Sequence, residues 1–207
     1  MDTSTRYLVF ARVEADGVGK LIAKTAADNG EETIDQAVAD LFPKSEEIAE
    51  IWLGEGPGSF VGLRSSFAYA RMLAMLSGAP CRTFLSSRLW RSFFSVAEHD
   101  WFLTRTNAKL FYAERYTPAR EAEAVDLSGA MRLAGEKFCF YDSWISTAQK
   151  NAGEEETLAA KLFHFADARI GEMSLRQEVL RLSEAKHHAD LNPLYGHELN
   201  FALAKNT

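Results

Sequence analysis

Hydrophobic residues along this 207-residue chain change their spacing several times, and the changes divide it into elements. Residues 7–13, Tyr-Leu-Val-Phe-Ala-Arg-Val, are strand formers, Ala15-Asp16-Gly17 signals a turn, and residues 20–24 resume an apolar run, which predicts a β-hairpin. Across 32–42 the apolar positions Ile34, Val38, Leu41 and Phe42 fall on one helical face, and Pro43 stops the helix. Strand 51–53, Ile-Trp-Leu, precedes a helix over 61–77 that Gly78 and Pro80 close. A strand over 81–85, a helix over 87–96 capped by Ser86 or Ser87, and a strand pair over 101–105 and 109–116 follow. Beyond a junction at Thr117-Pro118-Ala119, strands are expected at 121–125 and 137–141 with a short helix through Met131 and Leu133 between them. The rest reads as mostly helical, with Leu158, Leu162 and Phe165 on one face and Met173, Leu175, Val179 and Leu182 in the next segment. Residues 191–207 read as a tail.

Between strand 51–53 and helix 61–77 lies Gly54-Glu-Gly-Pro-Gly-Ser-Phe-Val-Gly-Leu-Arg64. Glycine lets the backbone turn tightly, and the helix that follows aims unpaired N–H groups back at the turn. An anion or another chain's backbone fits such a place, and a bare strand-to-helix corner with close packing explains it equally well. Gly56, Gly58, Ser59, Gly62 and Arg64 are the candidate contact residues. The spacing matches neither the G-x-G-x-x-G dinucleotide turn nor a P-loop, since no Gly-Lys-Ser/Thr follows.

Helix 61–77 is apolar on more than one stripe. It carries Leu63, Phe67, Ala70 and Ala74 on one side and Tyr69, Met72, Met75 and Leu76 around the other. A helix of this kind must bury more than one stripe, against a sheet and helix 32–42, or against a partner that adaptable methionines help to fit.

A hydrophobic content of 47% supports a real core in one domain or two small ones. The net charge of −6 argues against a broad nucleic-acid-binding surface. Cys81 and Cys139 are far apart and outside any C-x-x-C, as reduced buried thiols of a cytosolic protein would be. With neither a secretory leader nor an apolar run of about 18 residues, the expected location is the cytoplasm, with no membrane contact.

His187-His188-Ala189-Asp190 with Glu184 has a metal-site composition, but adjacent helical residues point about 100° apart, so solvated surface is the preferred reading. His99 beside Asp100 ends a helix and needs no catalytic role. No serine lies in a G-x-S-x-G elbow, and no triad order is present. Asp2-Thr3-Ser4-Thr5, a carboxylate and three hydroxyls ahead of a hairpin, is a group able to bind a metal-phosphate.

The pair formed by Asp2-Thr-Ser-Thr5 and Gly56-Pro-Gly-Ser-Phe-Val-Gly-Leu-Arg64 resembles the TsaB (YeaZ) family, whose members carry D-T-S/A-T and G-P-G-S-F-T-G-L/V-R. Pro80 with Leu85-Ser86-Ser87, residues 106–112 and Asn192-Pro-Leu-Tyr195 are similar, in order, to further family segments. The resemblance implies an α/β actin-like ASKHA (ribonuclease H-like) fold of two lobes, the second reduced, here divided as 1–116 and 117–207. It also implies a non-catalytic dimerization subunit for a TsaD-like catalytic partner, in a complex that engages a TsaE-like ATPase. That complex transfers a threonylcarbamoyl group to the adenosine beside the anticodon, so tRNA is met only through the complex. Partner-facing residues are then expected to be Ile34, Val38, Leu41, Phe67, Ala70, Met72, Ala74 and Met75, and self-association through the same helices is an alternative. Asp2, Thr3, Ser4 and Thr5 become a vestigial phosphate loop.

The catalytic paralogue carries an H-x-x-x-H metal pair after the strand matching 81–85, whereas no histidine precedes His99 here. No catalytic residue, metal or cofactor is therefore expected, and a glycoprotease-type peptidase is disfavoured. A homodimeric nucleotide-binding or regulatory module of the same fold is the alternative. Family members begin with an apolar strand before D-T-S-T. This chain starts at Met1-Asp2, so either its start is truncated or the sheet lacks that strand and the hairpin is anchored otherwise. Val61 in place of Thr, Ser65-Ser66 in place of I/V-G, and Asn107 with Lys109 in place of D-A-R weaken any nucleotide contact but leave helix packing intact.

Overall fold

The computed structural model describes residues 1–4, 7–13, 19–25, 30–41, 48–93, 101–106, 110–116, 120–136, 139–140, 162–163, 177 and 179–195. The hairpin forms as β1 (Tyr7–Val13) and β2 (Gly19–Thr25), antiparallel, with Val9 opposite Ala23. Helix α1 (Gly30–Leu41) lays Ile34, Ala37 and Leu41 on Leu8 and Phe10. Strand β3 (Ile51–Gly54), helix α2 (Phe60–Ser77) and strand β4 (Cys81–Phe84) make a parallel βαβ unit, with Ile51 opposite Cys81. A parallel pair needs a crossover between its strands, and α2 supplies it.

The hairpin and the β3–β4 sheet are joined by Met1 and Asp2. The Met1 amino group donates to Trp52 O at 2.7 Å, and Gly54 N–H donates to Met1 O at 2.9 Å. On the other side Asp2 exchanges both backbone hydrogen bonds with Val9, each at 2.8 Å. The two residues thus stand where a strand would lie between β1 and β3, and they anchor the hairpin that the sequence left without a visible attachment.

This sheet is covered on both faces, which is why β3 is apolar at consecutive positions rather than alternating. Ile51 and Leu53 pack with Phe67, Ala70, Leu73 and Ala74 of α2. On the opposite face Trp52 lies against Phe84, Val179 and Leu89, the last from α3 (Ser86–Phe93). The predicted helix 87–96 therefore begins one residue earlier, and 94–96 lie outside the described residues. A third strand, β10 (Glu184–Lys186), adds antiparallel to β4.

A second sheet holds β5 (Phe102–Arg105), β6 (Phe111–Tyr116) and β7 (Arg120–Val125), all antiparallel, with α4 (Leu127–Glu136) packed on it. Pairing of β6 with β7 runs the full six residues, so one sheet spans both sides of position 116. Ser87 Oγ at the start of α3 donates to the fully buried Glu114 carboxylate of β6, tying the first sheet's helix to the second sheet.

Two expectations change. Leu162–Phe163 is a strand, β9, parallel to β8 (Cys139–Phe140), not part of a helical face; a short apolar run does not by itself distinguish strand from helix. Leu158, Phe165, Met173 and Leu175 lie outside the described residues, while Val179 and Leu182 are helical. Leu191, expected to open a tail, is fully buried among Ile48, Leu53 and Leu73.

Phe67 is 2% exposed and Met75 73% exposed, although both sit on α2. Phe67→Ala is expected to lower unfolding stability by about 3–5 kcal/mol in urea titrations, through lost burial and the cavity left behind. Met75→Ala is expected to move it by less than about 0.5 kcal/mol.

Candidate functional site

The glycine turn runs from the end of β3 to the first turn of α2, and its own chain fills it. A side chain on Gly58 would place its Cβ 2.1 Å from Ser4 O, one on Gly62 would lie 2.2 Å from Thr3 O, and one on Gly56 2.3 Å from Leu194 O. These are backbone atoms with nowhere to go. Gly56 also has φ +99°, a left-handed value that favours glycine, and the Gly56–Pro57 peptide is cis.

Hydrogen bonds hold the three passing segments together. Ser59 N–H donates to Ser4 O at 2.6 Å, Leu194 N–H to Glu55 O at 2.6 Å, and Ser86 N–H to Gly56 O at 2.8 Å. Ser86 Oγ accepts from Gly56 N–H at 3.1 Å, and Thr3 Oγ1 donates to Gly62 O at 2.8 Å. Ser59 caps α2, its Oγ accepting from Gly62 N–H at 3.3 Å. The turn expected as an anion contact at Gly56, Gly58 and Gly62 is thus a closed backbone joint. The visitor that the glycines admit is backbone, and it belongs to this chain.

Asp2, Thr3 and Ser4, expected as a phosphate loop, are buried inside the joint; Thr5 lies outside the described residues. Asp2 Oδ1 accepts from Ser4 N–H at 2.8 Å, an Asx-type turn that bends the chain beneath the glycines. Burial pushes the Asp2 carboxyl above its ordinary value, opposed by hydrogen bonds from Ser4 and Ser86 and by the nearby Met1 amino group. That amino group is itself lowered to about 6 by burial.

The face of α2 away from the joint is different. Its buried side (Leu63, Ser66, Phe67, Ala70, Leu73, Ala74) meets the sheet, Tyr69 packs toward α1, and Arg71 reaches the other way to Leu191 O. At the first residue of α2, Phe60 packs against Tyr195 with ring centroids 4.8 Å apart. Flanked on both sides, α2 turns a third stripe outward: Val61 (66% exposed), Met72 (44%), Met75 (73%) and Leu76 (65%), with Ala68 and Arg64 between them. These positions recur every three to four residues over the full helix. These side chains thus leave an apolar stripe, interrupted by Arg64, on the water-facing side of α2.

Of the residues expected to face a partner, Met72 and Met75 are on this stripe. Ile34, Leu41, Phe67, Ala70 and Ala74 are not: each is buried in the chain's own core, and Val38 is half-buried between α1 and α2. The periodicity identified apolar helix positions without saying which stripe meets the sheet. Val61 also lies on the stripe and was missed, while Leu76, which the sequence placed with Met72 and Met75 on the second side of the helix, lies there too.

The remaining candidates are brief. His187 and His188 have ring centroids 4.2 Å apart and lie on a turn at His188–Asp190; no group of three or more potential metal ligands occurs among the described residues. Cys81 is a buried free thiol, pushed up by burial and by Glu50. No helix of the described residues is long and apolar enough to cross a membrane.

Residues 18–84, from β2 through α1, the glycine joint and α2 to β4, match the model of the TsaD family, tRNA N6-adenosine threonylcarbamoyltransferase. No curated protein sequence matches the chain significantly. Among solved structures, a Pseudomonas aeruginosa protein described as similar to peptidase YEAZ superposes with a TM-score of 0.63 at 15% identity, covering 95% of this chain and 97% of that one. YeaZ from Pseudomonas aeruginosa gives 0.59 at 14% identity, covering 94% and 96%. At these identities the likeness is one of fold, end to end.

Replacing Gly58 by Ala is expected to cost several kcal/mol, about 3 or more, because its Cβ would overlap a backbone carbonyl; Ser59→Ala, which removes only the cap, is expected to cost about 1 kcal/mol. Asp2→Asn provides a pH test. A carboxyl whose folded pKa is raised above its unfolded value near 3.8 favours the fold when protonated, and that advantage is lost as pH rises. The stability of the wild type relative to Asp2→Asn should therefore fall from pH about 4 toward neutrality, as urea titrations at several pH values would record.

Proposed function

We infer that this chain, with the fold of YeaZ throughout and a TsaD-family match from β2 to β4, is a TsaB (YeaZ)-type protein of the tRNA threonylcarbamoyl-modification system. We propose that it is a non-catalytic scaffold that docks a TsaD-like subunit on the outer face of α2. The observation that carries this reading is the stripe of Val61, Met72, Met75 and Leu76, a second apolar face on a helix whose first is already buried in the core. Seating another helix on it would remove these side chains from water at about 25 cal/mol per Å² of apolar surface. Two methionines let the stripe adapt to the knobs of the partner.

The scaffold role is supported from the chemistry side as well. The segment after β4 that would carry an H-x-x-x-H pair reads Ser86-Ser-Arg-Leu-Trp-Arg-Ser-Phe-Phe94, without an imidazole. The joint that would accept a phosphate is occupied by Thr3, Ser4 and Leu194 backbone. Threonylcarbamoyl transfer would then be the work of the partner, with a TsaE-like ATPase in the same complex and tRNA held by the assembly in the cytoplasm.

Met72→Glu is expected to weaken binding of the full-length protein to the TsaD-type subunit of the same organism by about thirtyfold or more, measured by titration calorimetry, with an unchanged melting temperature. Phe67, being core, is unsuitable for this test. Absence of binding by the wild type would overturn the docking reading, and ATP binding by the isolated chain would favour the regulatory-module alternative.

A further inference from the structure

Three charged side chains are buried among the described residues: Asp2, Arg91 and Glu114. Asp2 belongs to the glycine joint, whereas Arg91 and Glu114 meet at the seam between α3 and the second sheet. Glu114 sits in β6, the central strand of that sheet, opposite Phe102 of β5 and Ala122 of β7. A carboxylate removed from water is costly unless it is paired and hydrogen-bonded. Its partners come from α3, where Ser87 and Arg91, four residues apart, share one face of the helix. Ser87 Oγ donates to Glu114 Oε2, and Arg91 Nη1 donates to Glu114 O at 3.4 Å. Next to Ser87, Ser86 holds the glycine joint: its N–H donates to Gly56 O and its Oγ accepts from Gly56 N–H. Two consecutive serines at the start of α3 thus tie the helix to the joint and to the second sheet.

A purely apolar seam would tolerate tilt and slippage, because hydrophobic burial has no preferred direction. The charged group does not. Sliding β6 by one residue would turn Glu114 to the other face of the sheet and take its carboxylate away from Ser87. A buried ionic group adds little stability over apolar side chains of the same shape, and its best-attested use is to single out one arrangement among several.

We propose that Ser87, Arg91 and Glu114 form a buried orientation lock: they fix one angle and one register of the second sheet against α3, and through Ser86 against the glycine joint, without being a main source of stability. The lock is independent of the docking reading, since neither α1 nor the outer face of α2 takes part in it. It sets how the second sheet is held relative to the first.

The test is the triple variant Ser87→Ala, Arg91→Met and Glu114→Leu in the full-length chain, which replaces the whole group by apolar side chains. It is expected to melt at or above the wild-type temperature. Its amide NMR spectrum is expected to show doubled or broadened peaks for β5, β6 and β7, and the amides of β6 to exchange with solvent about tenfold faster or more. Glu114→Leu alone, which leaves Arg91 buried beside a leucine, is expected to melt about 6 °C lower or more. A single sharp set of peaks with wild-type exchange in the triple variant overturns the proposal. So does a lowered melting temperature of the triple variant, which would make the group an ordinary stabilising contact. If the triple variant does not fold, Ser87→Ala decides: faster exchange in β6 with β3 unchanged supports the lock, and unchanged exchange in β6 overturns it.

Discussion

The contact on which the rest of the structure depends is backbone against backbone at the glycine joint. Thr3, Ser4 and Leu194 bring carbonyl oxygens to within about 2 Å of where Cβ atoms would stand on Gly62, Gly58 and Gly56. Three remote stretches of chain, the first four residues, the start of α2 and residues 191–195, can approach so closely only where side chains are missing. Once there, they satisfy one another's N–H and C=O groups, which a buried joint requires. The start of α2 is therefore held from two sides, and the helix axis with it.

That constraint explains how α2 presents a clean outer stripe. The sheet takes one face, Tyr69 meets α1, and Arg71 with Phe60 meets the strap at Leu191 and Tyr195. The direction left over is outward, and it is lined by Val61, Met72, Met75 and Leu76. The joint and the outer stripe are thus two ends of one chain of contacts. A loosened joint would not remove any stripe residue, yet it would change the angle at which they are offered.

Much of this was legible from residue pattern. The hairpin, α1, β3, α2 and β4 follow from local signals, and helix α2 ends at Gly78, whose φ of +71° is a common helix stop. The resemblance of Asp2-Thr-Ser-Thr5 and the glycine turn to a family led to the same fold that end-to-end superposition supports. For the glycine turn, residue pattern left an anion contact and a packed strand-to-helix corner equally open, and the packed corner is what the structure shows. Local sequence has no means of telling that Thr3 and Ser4 occupy the turn, because the pairing joins residues more than fifty positions apart. The same holds for Leu191, whose burial depends on Ile48, Leu53 and Leu73.

The sequence by itself determined the order of the hairpin, α1, β3, α2 and β4, that α2 is apolar on more than one side, and that the segment after β4 lacks imidazoles, since these are properties of residue type and spacing along a few turns. Tertiary structure alone decided which apolar stripe of α2 became core and which stayed in water, and that the glycine turn holds the chain's own backbone. The physical reason is that burial is a relation between distant segments: Phe67 and Met75 are alike in hydrophobicity and differ only in which side of α2 the sheet came to cover.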